Sequence, residues 1–124
     1  MPDRSTIERF LSSTFRSVWD LELVLELSRT PDESRTTEQL VSALRASDVI
    51  VAKGIDTLVA AGLILEERDG SVRFAPASAE LAESVAGAFE LYRARPDAVR
   101  RRIIASSTRG LEAFSQAFRI VGDK

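Results

Sequence analysis

The 124-residue chain contains no cysteine, no histidine and no asparagine. The first two absences exclude zinc fingers, iron–sulfur sites, haem held by His or Cys, thiol nucleophiles and every Ser–His–Asp arrangement. The third excludes an N-glycosylation sequon. Lysine is nearly missing as well. Fifteen of the seventeen bases are Arg, which leaves Lys53 and Lys124 and little material for a Ser–Lys nucleophile. No apolar run approaches the ~20 residues of a membrane span. The opening MPDRSTIERF lacks the apolar stretch of a signal peptide. The six glycines (54, 62, 70, 87, 110 and 122) form no phosphate-cradling loop. General acid–base chemistry is left to Asp, Glu, Lys or Tyr. Glu66 and Glu67 are neighbours on an expected strand and point to opposite faces. Glu22 and Glu26 share a helix face, where solvation or pairing with an Arg suits them. The expectation is a cytoplasmic protein with no catalysis, no metal and no cofactor.

What is present reads as mainly helical. Apolar residues make up 44% of the chain and charged residues 29%. At this length roughly two-thirds of the unfolded surface can be buried. Ile7, Leu11, Phe15, Val18 and Leu25 fall on one helical stripe, which the Ser12-Ser13-Thr14 cluster would divide into two helices. Between residues 19 and 27, Leu21, Leu23, Val24, Leu25 and Leu27 point all round the axis. A helix apolar on every side is enclosed on every side. Thr30-Pro31-Asp32 stops it. Thr36 or Thr37 caps the next helix, which carries Leu40, Val41 and Leu44 and ends near Arg45. Ser47 caps a third over 48–61, and Gly62 follows at the left-handed position after its end. Residues 63–67 and 72–75 read as strands about Asp69-Gly70, a strong hairpin signal. After Pro76, helices are expected over 78–94, from Pro96 through Val99, Ile103 and Ile104, and from Thr108 through Leu111, Phe114, Phe118 and Val121. Two parts follow: residues 1–76, holding the first helix, the helix pair and the hairpin, and a helical extension over 77–124.

The turn RAS at 45–47 is very short, and SDVIVAKGIDTLVAAGLILEERDGSVRF follows it. Within that run, LVAAGLI at 58–64 places Leu58 inward, Gly62 at the helix end and Leu63-Ile64 at the start of a strand. Val51 and Ile55 complete the inward set. Over about residues 17–76 the chain resembles bacterial winged-helix (winged helix-turn-helix) transcriptional regulators, here with a helical C-terminal tail. The resemblance implies that the third helix lies in a DNA major groove and the wing grips the backbone. It also implies a homodimer formed through flanking helices. Winged helices serve as protein-interaction modules too.

The residues divide these possibilities. With Val51, Gly54, Ile55 and Leu58 inward, the third helix offers solvent Asp48, Val49, Ile50, Ala52, Lys53, Asp56 and Thr57. Base reading relies mainly on Arg, Lys, Asn and Gln, and only Lys53 is available. Residues 17–76 hold six bases against eleven acids, a net −5. For a double-stranded DNA reader, Lys53 and Thr57 would face bases, while Arg45, Ser47, Arg68 and Arg73 would hold phosphates. For a module contacting another protein, the branched pair Val49 and Ile50 would meet the partner, unless the C-terminal helices cover it. Ordinary solvated charges account for the polar residues equally well. A small-ligand cavity between first helix and tail ranks last.

Residues 77–124 hold eight bases against six acids, a net +2. Arg100-Arg101-Arg102 spreads round most of a helical turn, so the three cannot face one partner together. The apolar stripes of the tail and the second side of residues 19–27 both need cover. The preferred arrangement is a dimer through Trp19, Leu23, Leu27, Phe114 and Phe118. The alternative places Trp19, Leu23 and Leu27 in a monomeric core.

Overall fold

The polar cluster at 12–14 does end the first helix. In the computed structural model, which describes residues 2–107, α1 (Arg4–Thr14) and α2 (Val18–Ser28) meet at a corner over 15–17. Asp3 caps α1 by accepting the Thr6 N–H at 2.8 Å. These hydrogen bonds hold its carboxyl below the ordinary range.

Helix α2 buries Leu21, Leu23, Val24 and Leu27, as its all-round apolar pattern demands. Its partners are α3 (Thr37–Leu44), α4 (Asp48–Ala60) and the second strand of the hairpin, β1 (Ile64–Glu66) with β2 (Val72–Phe74). Thr36 and Gln39 form a reciprocal capping box at the start of α3, with bonds of 2.9 and 3.1 Å. Arg45 closes that helix in the left-handed region at φ 56°. A non-glycine residue there is strained, and the turn it makes lets α4 start three residues later. Ser47 Oγ then accepts the Ile50 N–H at 3.2 Å and caps α4.

Helix α4 crosses α2 at Gly54. A Cβ there would lie 2.9 Å from Leu23 Cδ2 and 3.2 Å from Asp20 Oδ1, so only glycine permits this approach. The inward set Val51, Gly54, Ile55 and Leu58 is buried, as the spacing predicts. Gly62 is left-handed beyond the end of α4.

The strands pair antiparallel, with Leu65 opposite Arg73. The turn differs in detail from a two-residue Asp-Gly hairpin. Glu67 N–H donates to the Ser71 carbonyl at 2.7 Å and Gly70 N–H to the Glu67 carbonyl at 3.0 Å. Arg68, Asp69 and Gly70 form the loop, and of these only Gly70 has positive φ. Asp69 accepts from Ser71 N–H and Oγ–H, which keeps its carboxyl below the ordinary range. Arg35, between α2 and α3, exchanges two backbone hydrogen bonds with Val72, so the linker pairs with β2 as a bridge.

Helix α5 (Ala79–Ala94), capped by Ser78, packs on α1, and a sixth helix, α6, spans 96–107. Val99 and Ile103 of α6 are buried, whereas Ile104 points outward. Arg102 meets Glu8 at 3.4 Å, and Ser106 Oγ donates to the Ser12 carbonyl at 2.7 Å. The tail helices therefore cover α1 within one chain. One continuous core joins both layers. The helix expected from Thr108 lies outside the described residues.

Candidate functional site

The outer face of α4 is where the expectations for DNA and for protein contact overlap. Asp48, Val49, Ala52, Lys53 and Asp56 are exposed. Val49 is the most open of the exposed large apolar residues, at 62%. Ile50 and Thr57 are half-buried, because they line a groove of about 520 Å³ between α4 and the start of α2. Its α2 wall is Arg16, Ser17, Trp19 and Asp20. Its α4 wall is Ile50, Lys53, Asp56 and Thr57. One concavity thus gathers residues expected to face bases, a residue expected to face a protein and one expected at a dimer contact.

Asp20 forms the buried floor of the α2 wall. Its Oδ2 accepts the N–H groups of Arg16 at 2.8 Å and Ser17 at 3.3 Å. Burial pushes its carboxyl above the ordinary range, against the downward pull of those N–H groups and of the Arg16 charge. The groove is therefore apolar in its aromatic and aliphatic walls, with Arg16, Lys53 and Asp56 also lining it.

The phosphate-holding candidates are less uniform than the sequence implies. Arg45 and Arg68 are exposed, the former at the α3–α4 corner and the latter at the hairpin loop. Ser47 Oγ accepts the Ile50 N–H in the α4 cap and keeps its O–H as a donor. Arg73 Nε bonds Glu67 Oε1 at 2.9 Å, so its charge is balanced in place. Glu67 also accepts from Ser34 Oγ–H. Among the described residues, Arg45, Lys53, Arg68 and the groove-lining Arg16 form no ion pair.

The dimer expectation needs a correction. Leu23 is 1% exposed and Leu27 0%. Both are enclosed by α3, α4 and the hairpin of their own chain and have no surface to give a second copy. The monomeric-core alternative describes them. Trp19 differs, at 38% exposure. Phe114 and Phe118 lie outside the described residues.

Sequence reasoning missed Arg16 as a groove residue and a second groove of about 420 Å³ along the outer side of α2. The signal was there: Val18, Trp19, Glu22, Leu25, Glu26 and Arg29 fall on one helical stripe. Across this groove Tyr92 O–H approaches Glu22 at 3.5 Å, and the Arg100 guanidinium sits 5.4 Å from the Tyr92 ring centre. Glu26 pairs with Arg29 at 3.0 Å and Arg35 at 3.3 Å, in keeping with its expected role. Trp19 lines both grooves. The arginine run divides as expected: Arg100 meets Asp97, Arg102 meets Glu8, and Arg101 faces solvent. Among the described residues no helix is long and apolar enough to cross a membrane, and no three acidic side chains converge as a metal site would require. Comparison with protein-family models, curated proteins and solved structures yields no match.

Proposed function

We propose that residues 18–75 are a winged-helix module that acts in the cytoplasm by contacting another protein, without catalysis and without reading DNA. The element order α2, α3, α4, β1, β2 supports the winged-helix reading. The Arg35–Val72 bridge supports it further, since it adds the linker between the first two helices to the hairpin. The observation that carries the protein-contact reading is the outer face of α4. Its most open large side chain is Val49, and its one cation, Lys53, shares the face with the exposed carboxylates of Asp48 and Asp56. DNA affinity rests largely on neutralised phosphates. With Arg73 balanced by Glu67, the candidates of one copy reduce to Arg45, Lys53 and Arg68, with Arg16 beside Lys53 in the groove. An apolar side chain beside a Trp-lined groove matches the anchor-and-pocket pattern of protein interfaces.

Retention on random genomic DNA at low salt tests the reading. No retention is expected, and binding that falls steeply with rising salt would overturn it. Covalent cross-linking in a bacterial host supplies the second arm. A partner adduct formed by the native chain and by Lys53→Ala, but lost in Val49→Glu, is the expected pattern.

A second reading, a homodimeric winged-helix transcriptional regulator, is favoured by one observation. Arg45 and Arg68 are exposed, the former at the α3–α4 corner and the latter in the hairpin loop. A dimer would double these contacts. Loss of DNA retention in Arg45→Ala and Arg68→Ala would establish it.

A further inference from the structure

The groove between α2 and α4 has a charged floor that its own chain leaves partly unanswered. We propose that this groove binds a free amino acid with a large apolar side chain, its ammonium on Asp20 Oδ1, its carboxylate between Arg16 and Lys53, and its side chain against Trp19 and Ile50.

Asp20 is the first support. It is 4% exposed and lines the groove. Both hydrogen bonds of its carboxyl fall on Oδ2, from the Arg16 and Ser17 N–H groups. Oδ1 forms none among the described residues, although the Arg16 charge and the Ser17 hydroxyl stand near enough to favour the ionised form. No enclosed side-chain oxygen of the described residues lacks a partner. Oδ1 is therefore not sealed in, and the groove is where Asp20 meets open space. A Cβ on Gly54 would stand 3.2 Å from Oδ1, so the bare glycine backbone of α4 leaves that oxygen uncrowded. A carboxylate this deep is best met by a charged donor, and an ammonium supplies both the N–H groups and the opposite charge.

The opposite charges are the second. Arg16 stands on the α2 wall and Lys53 on the α4 wall. Neither forms an ion pair among the described residues. Together they suit a carboxylate, the guanidinium as a fork and the lysine as a point charge. Arg16 and Lys53 are matched in the lining by Asp20 and Asp56, so a ligand with one charge of each sign leaves the groove balanced.

The apolar wall and the volume are the third. Trp19 is partly open and Ile50 half-buried, and both line the groove. A large apolar side chain laid on them removes its surface and theirs from water. At about 520 Å³ the space has the size of a small-molecule site.

The site does not rest on the protein-contact reading, and it is tested on the purified full chain with no partner present. Trp19 is the only tryptophan, so its emission reports on the groove. L-Phenylalanine is expected to change that emission saturably, with a matching heat in calorimetry. Phenethylamine lacks the carboxylate, hydrocinnamate the ammonium and glycine the side chain. Each should bind at least about tenfold more weakly. Asp20→Asn sets an amide N–H where Oδ1 stands, and should abolish L-phenylalanine binding without weakening hydrocinnamate. Lys53→Ala, at an exposed position, should weaken L-phenylalanine and spare phenethylamine. No saturable signal from L-phenylalanine by either method would overturn the proposal. So would phenethylamine binding equally well, or an Asp20→Asn chain that binds as the native one does. Failure here with Val49-dependent partner capture intact would leave the protein-contact reading standing. Binding of L-phenylalanine together with DNA retention would remove that reading alone.

Discussion

Two helix crossings hold this molecule together, and each passes through a glycine. At the α2–α4 crossing, a Cβ on Gly54 would meet Leu23 Cδ2 and Asp20 Oδ1, atoms deep in the core. The leucine is buried, and the carboxylate is held by two backbone N–H groups. At the α1–α5 crossing, a Cβ on Gly87 would come still closer, 2.5 Å from Ile7 Cδ1 and 3.0 Å from Ile7 Cγ1, both on one buried apolar side chain that no hydrogen bond holds. Beside that second crossing, α6 is tied to α1 by the half-exposed Arg102–Glu8 ion pair and the Ser106–Ser12 hydrogen bond. Closeness alone therefore does not measure rigidity. The first crossing meets a carboxylate held by two backbone N–H groups as well as a methyl, and the second meets one apolar side chain alone. Local opening is expected to begin in the α1–α5–α6 layer.

The largest expected effect probes the rigid crossing. Leu23→Ala should destabilise by about 2–5 kcal/mol, the usual range for a fully enclosed leucine. Urea unfolding should give the same loss at every protein concentration, because Leu23 is buried inside one chain. A loss that grows on dilution would restore it to a dimer interface.

The two glycines give the next contrast. Alanine gains about 1 kcal/mol of helix propensity over glycine at either position, set against an overpacking penalty of about 1–3 kcal/mol. Gly54→Ala should be clearly destabilising. Gly87→Ala should be close to neutral, and Ile7→Val, which removes the Cδ1 methyl, should rescue any loss. Equal penalties at the two sites would contradict the distinction drawn between the crossings.

Asp20 sharpens the comparison through pH. Burial raises its carboxyl above the ordinary range. Unfolded, it titrates near pH ~4. Between that pH and its folded value the folded chain binds more protons than the unfolded one, so this group's contribution to stability falls as pH rises and then levels off. Asp20→Asn keeps an oxygen for the Arg16 and Ser17 N–H groups and removes the charge. The decline across that window should vanish in the Asp20→Asn variant, as followed by thermal unfolding at a series of pH values.

These outcomes also separate what is legible in a sequence from what is not. Ser47 as a cap, Gly62 beyond the helix end and the inward set of α4 follow from local rules that act over one or two turns. The enclosure of α2 was readable from its all-round apolar pattern. Which elements enclose it was not, because that depends on where α3, α4 and β2 return in space, and the dimer assignment of Leu23 and Leu27 failed there. The same limit hid the groove: Trp19 and Ile50 meet only once two distant helices cross. It hid the Arg73–Glu67 pair as well, since adjacent glutamates on a strand gave no sign of which would turn to the opposite strand.

That pair supplies the smallest effect on stability and a sharp test of role. Both side chains are more than a third exposed, so screening reduces the 2.9 Å contact to about 0–1 kcal/mol. Arg73→Ala should therefore barely move the unfolding midpoint. Glu67→Gln is more informative, because it keeps a neutral acceptor of similar shape and leaves the Arg73 charge unbalanced. If the α4 face contacts protein, releasing one charge on the hairpin should leave the variant unable to bind DNA at low salt. If Glu67→Gln instead creates DNA retention, and Arg73→Ala does not, the hairpin carboxylate is what keeps a phosphate-holding arginine out of use. The acidic balance of the N-terminal unit would then mark a DNA reader held in check by its own side chains.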